Sequence, residues 1–363
     1  MPPDAVLRHL KALVEIYPET NDQTSVKRGL DYCKEIIDNN DALDNAKIHE
    51  YNGYYSLTAS TKTNKPKLLL QAHIDVVRCL QKPEIYQSED SISGRGVYDM
   101  LFAVACYLSF IEMNSGALQD LDIGLMITGD EEIGGFNGVK KLVEAGYSGE
   151  VVFLPDACEG FGDLSVAAKG AYNFDLVASG KAHHGSRPWE GDGAGNKLIH
   201  MTHELMDSFD HSDTNNSTIT ITRFDGGGAI NRGPSSACAH VDIRFKDMDS
   251  LAAIEARVED ICNKYGGSVK NMLRADSMEI NTEEPAIKEF VELYAKHNGK
   301  PISFSKAHGG SDARFFYSAG TPVIMIRPDG GGAHSDEESL DLASLAKFYA
   351  LLEEFILKTA KIN

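Results

Sequence analysis

Apolar positions recur at helical spacing near the start of the chain. Val6, Leu10, Leu13 and Val14 predict a helix over 4–17, and Tyr32, Ile36 and Ile37 predict another over 24–39. A weaker strand pattern follows near 47–59. Short unbroken apolar runs then alternate with longer apolar segments. Strands are predicted at Leu68 onward, at 121–128 and at 150–154, with helices at 100–113 and 136–145 between and after them. Each of these strand runs ends in polar residues: His73 and Asp75 after the first, Asp130, Glu131 and Glu132 after the second, Asp156 after the third. This rhythm predicts an α/β layer, in which ligands bind beyond the carboxyl ends of the strands.

The rhythm changes after Gly170. Strands at 172–179, 217–223, 237–245 and 268–280 enclose helices at 195–209 and 251–265. That order, strand-helix-strand-strand-helix-strand, is the order of a ferredoxin-like unit. The first rhythm then returns, with helices at 284–298, 312–318 and 339–360 and strands near 301–305 and 322–328. The expected organisation is a catalytic domain of residues 1–169 and 283–363 with an inserted domain of residues 170–282.

The 363 residues exceed one ordinary core and agree with two domains. A net charge of −19 argues against nucleic acid or an anionic membrane as the partner. No run approaches the ~20 apolar residues of a membrane span. The N-terminus lacks the apolar core of a signal peptide. Six scattered cysteines without a CxxC pair point to reduced thiols and a cytoplasmic protein.

The acids and histidines at the strand ends carry the candidate chemistry. At strand period His73 and Asp75 share a face, an arrangement suited to a metal or to a purely structural pair. Asp99 falls at or just before a helix start, where it is either a ligand or a plain N-cap. Three consecutive carboxylates at 130–132 repel one another and invite a cation, or form a solvated turn.

The segments HIDVV, GRGVYD, TGDEEIGG, LPDA, GKAHHGSRPWEG, GGGAINRGP, GGSDARFF and GGGAHSDEE occur in that order along nearly the whole chain. Together they resemble the zinc-dependent aminoacylase, carboxypeptidase G and dipeptidase superfamily, which also includes acetylornithine deacetylase and succinyl-diaminopimelate desuccinylase. The resemblance implies a zinc-peptidase catalytic domain, a central mixed sheet flanked by helices, with an inserted ferredoxin-like α+β lid that commonly dimerises. By motif position it implies one zinc on His73 and Asp156, a second on Glu132 and His334, and Asp99 bridging both. Co2+ or Mn2+ are possible substitutes. Glu131 becomes the general base for attack by a metal-bound hydroxide, and Asp75 the group that orients His73. Neighbours in an extended chain point apart, so Glu131 and Glu132 need different tasks.

In the inserted domain His184 matches the histidine that helps hold the oxyanion, with His183 beside it as an ambiguity. Asn231 resembles a substrate contact. Arg244 resembles a partner for a substrate carboxylate, or else forms a structural salt bridge. Gly309, Gly310 and Ser311 resemble a substrate-binding loop, and Arg314 is a weaker addition. Two departures stand out: Met100 and Leu101 follow Asp99 where a second acid or a lysine is common, and an extra GDGAG precedes Asn196. The resemblance implies a dipeptidase or carboxypeptidase acting on small peptides. The aspartate at 156 favours that branch, because the deacetylases carry glutamate there. An N-acyl amino acid deacylase of the deacetylase or desuccinylase type is the alternative, and a non-catalytic peptide- or metabolite-binding relative a minor one.

Overall fold

A computed structural model describes residues 1–40, 42–43, 45–79, 84–156 and 158–362. The chain divides into two compact units. The first comprises Met1–Val166, Ile280–Ser305 and Ser311–Asn363, and the second Ala167–Glu279 with Lys306–Gly310. The stretch Lys306–Gly310 thus belongs with the second unit, so Gly309 and Gly310 lie there and Ser311 in the first.

The first unit is built on a six-stranded mixed sheet in the order 47–51, 54–60, 123–128, 68–73, 151–153, 323–324. The first two pairings are antiparallel; the rest are parallel. Every residue of Leu68–His73 and Ile123–Thr128 is buried, the expected state of parallel strands covered on both faces. The helix Leu101–Met113 is apolar all round, and its first eleven residues are buried. Edge-to-face and tilted contacts link Phe102, Phe153, Phe290, Phe348 and Phe355. These rings come from all three segments of the chain that make the first unit, and they knit the segments into one core.

The second unit has a four-stranded antiparallel sheet in the order Thr218–Gly226, Ser236–Phe245, Gly170–Ser179, Gly267–Ala275. Helices Ala194–Met206 and Met248–Tyr265 complete the ferredoxin-like order. Strand Ser236–Phe245 alternates exposed or intermediate and buried residues, and its buried set, Ala237, Ala239, Val241, Ile243 and Phe245, joins Phe174, Leu198, Met201 and Ile261 in the core.

Candidate metal centre

The parallel register brings strand ends together. His73 lies opposite Thr128, and Leu70 opposite Phe153, so the segments after Thr128 and Phe153 leave the sheet beside His73. Two groups of ligand atoms result. His73, Asp99 and Asp156 form one, and Asp99, Glu132 and His334 the other, with the atoms of each group within 4.8 Å of one another. His73 Nε2 is 3.3 Å from Asp99 Oδ1 and 3.9 Å from Asp156 Oδ1. His334 Nε2 is 3.3 Å from Asp99 Oδ2 and 3.0 Å from Glu132 Oε2. Asp99 offers one oxygen to each group. Its alternative reading as an N-cap is not what the geometry shows: Met100 occupies the cap position of the following helix, without a side-chain cap bond.

Glu131 and Glu132 are not extended. They open a single 3-10 turn, Glu131–Ile133. The cause is Asp75, whose fully buried carboxylate accepts the N–H of Glu131 at 3.1 Å and of Glu132 at 3.3 Å, and also the Thr20 hydroxyl at 3.0 Å. His73 Nδ1 instead bonds the Asp75 carbonyl at 2.9 Å, with the carboxylate 3.6 Å away. Asp75 thus fixes His73 mainly through its backbone and the two glutamates through its side chain.

One residue that sequence reasoning passed over holds Asp99 in place. Strand Ser339–Asp341 pairs with Ser91–Ser93, which brings Glu338 to the loop that ends in Asp99. The buried Glu338 carboxylate accepts the N–H of Gly96 and Tyr98 at 2.9 Å and of Asp99 at 3.0 Å, and pairs with Arg95 Nη1 at 2.9 Å. Gly96 has φ +80°, and a Cβ there would meet Val76 Cγ1 at 2.6 Å, so this loop admits no side chain at 96. Asp99–Met100 is a cis peptide bond. His334 has φ +64°, a left-handed conformation rare for a residue with a Cβ. Arg314 spends its guanidinium on the carbonyls of Ser311 at 2.9 Å and Gly134 at 2.6 Å, stacked on Phe315, and so ties the glycine loop after Glu132 to the helix start at 313. The Ser311 hydroxyl oxygen accepts the Ala313 N–H at 3.3 Å.

Four carboxylates, Asp99, Glu131, Glu132 and Asp156, face two imidazoles. Burial first, then the Asp156 charge, pushes Glu131 well above the usual carboxylate range. Burial likewise raises Glu132 and Asp156. Burial also opposes ionisation of Asp99, but hydrogen bonds to His334 and His73 outweigh it and hold that carboxyl low. The same bonds, to Asp99 and Glu132, lift His334 to about 10. This donor set fits two divalent cations. Four carboxylates balance their charge, imidazole and carboxylate are their ordinary ligands, and Asp99 is placed to screen their mutual repulsion. Because His334 is protonated at neutral pH in the metal-free protein, metal uptake must expel its proton. Titration calorimetry in buffers of different ionisation enthalpy at pH 7 is expected to show release of about one proton or more per chain, with affinity rising as pH rises. Zero net release would contradict this placement of His334.

In the second unit, His183 and His184 differ. Cβ atoms added at Gly191, Gly193 and Gly233 would come within 3.0, 2.8 and 2.3 Å of the His183 ring, which is packed among them. His184 is exposed. Its Nδ1 accepts the Ser186 N–H at 3.2 Å, which leaves the proton on Nε2. Two-residue strands pair His184 with Arg232, and the Asn231 carbonyl accepts the Gly185 N–H at 2.7 Å. Arg244 is paired along its own strand with Asp242, Nε to Oδ1 at 2.9 Å. No helix among the described residues is long and apolar enough to cross a membrane.

The model of peptidase family M20/M25/M40 matches residues 69–358. A succinyl-diaminopimelate desuccinylase of Rickettsia bellii is 26% identical over 388 aligned positions, covering 98% of this chain and 96% of the relative. The desuccinylase of Rhodospirillum centenum is 29% identical over 277 positions, 71% of this chain and 70% of the relative. Among solved structures, a tripeptidase from Staphylococcus aureus superposes with TM-score 0.81 at 21% identity, covering 98% of both chains. An M20 metallo-carboxypeptidase from Sulfolobus solfataricus superposes with TM-score 0.80 at 16% identity, over 99% of this chain and 100% of that one.

Proposed function

The chain belongs to peptidase family M20/M25/M40, and from that premise we propose that this hydrolase uses two metals to remove the acyl group of N-acyl amino acids, in the manner of a desuccinylase. The observation that carries the reading is the pair of ligand groups sharing Asp99. The near full-length likeness to succinyl-diaminopimelate desuccinylases favours an acyl substrate over a peptide. His73, Asp99 and Asp156 would hold one ion, and Asp99, Glu132 and His334 the other. Zinc is the ion we favour, and such a pair would polarise the amide carbonyl and acidify water.

The remaining steps belong to the protein. Glu131 belongs to neither ligand group and stands beside Asp156 and Glu132. It takes the proton from the attacking water and returns it to the leaving amine. In the second unit, His184 and Asn231 are the residues that the resemblance assigns to the oxyanion and to the substrate, and Nε2 of His184 is free to donate. Asp75 keeps the Glu131–Glu132 turn in place.

Peptidase action is the second reading, and Asp156 favours it, since the resemblance puts aspartate here in dipeptidases. A panel of N-succinyl and N-acetyl amino acids and dipeptides, assayed with zinc, cobalt or manganese, decides between them. Succinylated substrates are expected to exceed dipeptides in kcat/KM by about tenfold or more. Dipeptide turnover without deacylation would replace the first reading by the second.

A further inference from the structure

The first unit contains six arginines. Arg8 pairs with Glu112 and Arg95 with Glu338. Arg28 and Arg78 are exposed. Arg314 gives its guanidinium to two carbonyls. Arg327 follows none of these patterns. It is half-buried, forms no ion pair among the described residues, and donates from Nε to the Cys158 carbonyl at 3.1 Å. Its Cζ lies 4.2 Å from the centre of the Tyr98 ring.

Both supports of this guanidinium are joined to candidate metal ligands. Tyr98 directly precedes Asp99, and Glu338 holds its N–H at 2.9 Å. Cys158 comes two residues after Asp156. Its sulfur accepts the Arg327 N–H at 3.3 Å, and its thiol donates to the Gly160 carbonyl at 3.3 Å. Val323–Ile324 runs parallel to Val151–Phe153, so Arg327 and Asp156 follow adjacent strands at the same end of the sheet. All of these residues belong to the first unit. The charge of Arg327 reaches the ligands: it opposes the burial that raises the Asp156 carboxyl and the Tyr98 hydroxyl.

With Nε engaged and one face covered by the ring, Nη1 and Nη2 are the nitrogens left to bind. Neither has a hydrogen-bond partner among the described residues. Together they form the planar fork that takes a carboxylate through two parallel N–H···O bonds. The stack on Tyr98 fixes the plane without neutralising the charge. A cation partly withdrawn from water and left without a counter-ion is suited to an anion that arrives from outside.

We propose that Arg327 is a specificity-determining residue of the metal centre that binds a carboxylate of the substrate. The proposal deepens the deacylase reading and rests on it. An N-succinyl amino acid offers two such groups, the distal acid of the acyl chain and the acid of the amino acid released. The recognising chemistry is the same for both, so substrates carrying one at a time tell them apart. A guanidinium that only offset the four carboxylates of the site would act on metal binding and on every substrate alike.

The test uses full-length, metal-loaded wild type, Arg327→Met and Arg327→Lys. Methionine keeps an apolar side chain over Tyr98 and drops the charge; lysine keeps the charge and drops the fork. The substrates are N-succinylalanine amide, N-butanoylalanine and the neutral N-butanoylalanine amide. Arg327→Met is expected to raise KM about tenfold or more for at least one of the two acids, with kcat, metal content and KM of the neutral amide within about twofold of wild type. Arg327→Lys is expected to recover part of the loss. A rise for N-succinylalanine amide assigns the acyl acid, and a rise for N-butanoylalanine assigns the released acid; either upholds the proposal. Equal changes for all three, no change, or loss of metal overturns it. For a compound that wild type does not turn over, the calorimetric dissociation constant takes the place of KM. If none is turned over, the deacylase reading fails on its own, while these constants still judge Arg327. Binding of all three that is undetectable in wild type also overturns the proposal.

Discussion

Glu131→Gln in the metal-loaded protein loses amide hydrolysis by on the order of 10²–10⁴-fold in kcat while keeping both metals. The expected separation of the two effects follows from where Glu131 sits. The ligand groups are complete without it. Its carboxyl is pushed up by burial and by the neighbouring Asp156, so it holds a proton readily and suits a group that takes one from water and gives it to an amine. Glutamine keeps the shape and cannot carry the proton. Its backbone N–H still bonds Asp75, so the turn that carries Glu132 is unchanged. Metal content by atomic emission and kcat on the best substrate of the panel check it. Activity within tenfold of wild type would remove Glu131 from the proton-transfer role, and loss of metal would make it a ligand.

Glu338→Ala is expected to be the most damaging substitution that touches neither metal nor substrate. It removes the nearest acid from the guanidinium of Arg95, only 3% exposed, which keeps Asp336 at 3.8 Å and Cys79 Sγ at 3.2 Å, and it strands three N–H groups of the loop leading to Asp99. Removing one partner of a buried ion pair costs about 3–5 kcal/mol, which is a large part of a domain's stability. The loop that presents Asp99, shared by both ligand groups, also loses its anchor, so metal affinity is expected to fall about 10–100-fold. Urea unfolding of the metal-free protein reads the first effect, and competition with a chelator the second. Glu338→Gln retains an acceptor oxygen and should fall between wild type and alanine in both. An unchanged unfolding midpoint together with unchanged metal affinity would show that the Asp99 loop holds itself.

The features that could be read from the sequence share a physical cause. A parallel strand buried on both faces must be an unbroken apolar run, and where it reaches the sheet edge its polar residues show. That made His73, Glu131, Glu132 and Asp156 visible, and the ferredoxin-like order of the second unit followed from alternation and helical spacing. Asp99 and His334 come from loops, and only the succession of motifs singled them out. Four features left no such trace. The strand Asp163–Ala168 is largely buried, but Asp163 and Ser165 interrupt its apolar run, so no strand pattern shows. The pairing of 86–87, 91–93, 330–331 and 339–341 uses strands of two or three residues, below any periodicity. The turn at 131–133 depends on the Asp75 carboxylate, 56 residues earlier than Glu131. Glu338 looks like one more acid in a solvated loop until strand pairing places it under Asp99. His334 nearby was the only pointer to that segment.

The bond between the Asp99 N–H and Glu338 joins positions 239 residues apart. A ribosome adding about 5–20 residues per second needs roughly 10–50 s to pass from one to the other. For most of that interval, from the addition of Asp156 to that of His334, the nascent chain has His73, Asp99, Glu131, Glu132 and Asp156 but neither the second imidazole nor the clamp. An ion met during translation finds the first ligand group on an unanchored loop and the second group without its histidine. Both ligand groups and the clamp therefore coexist only after Glu338 has been added.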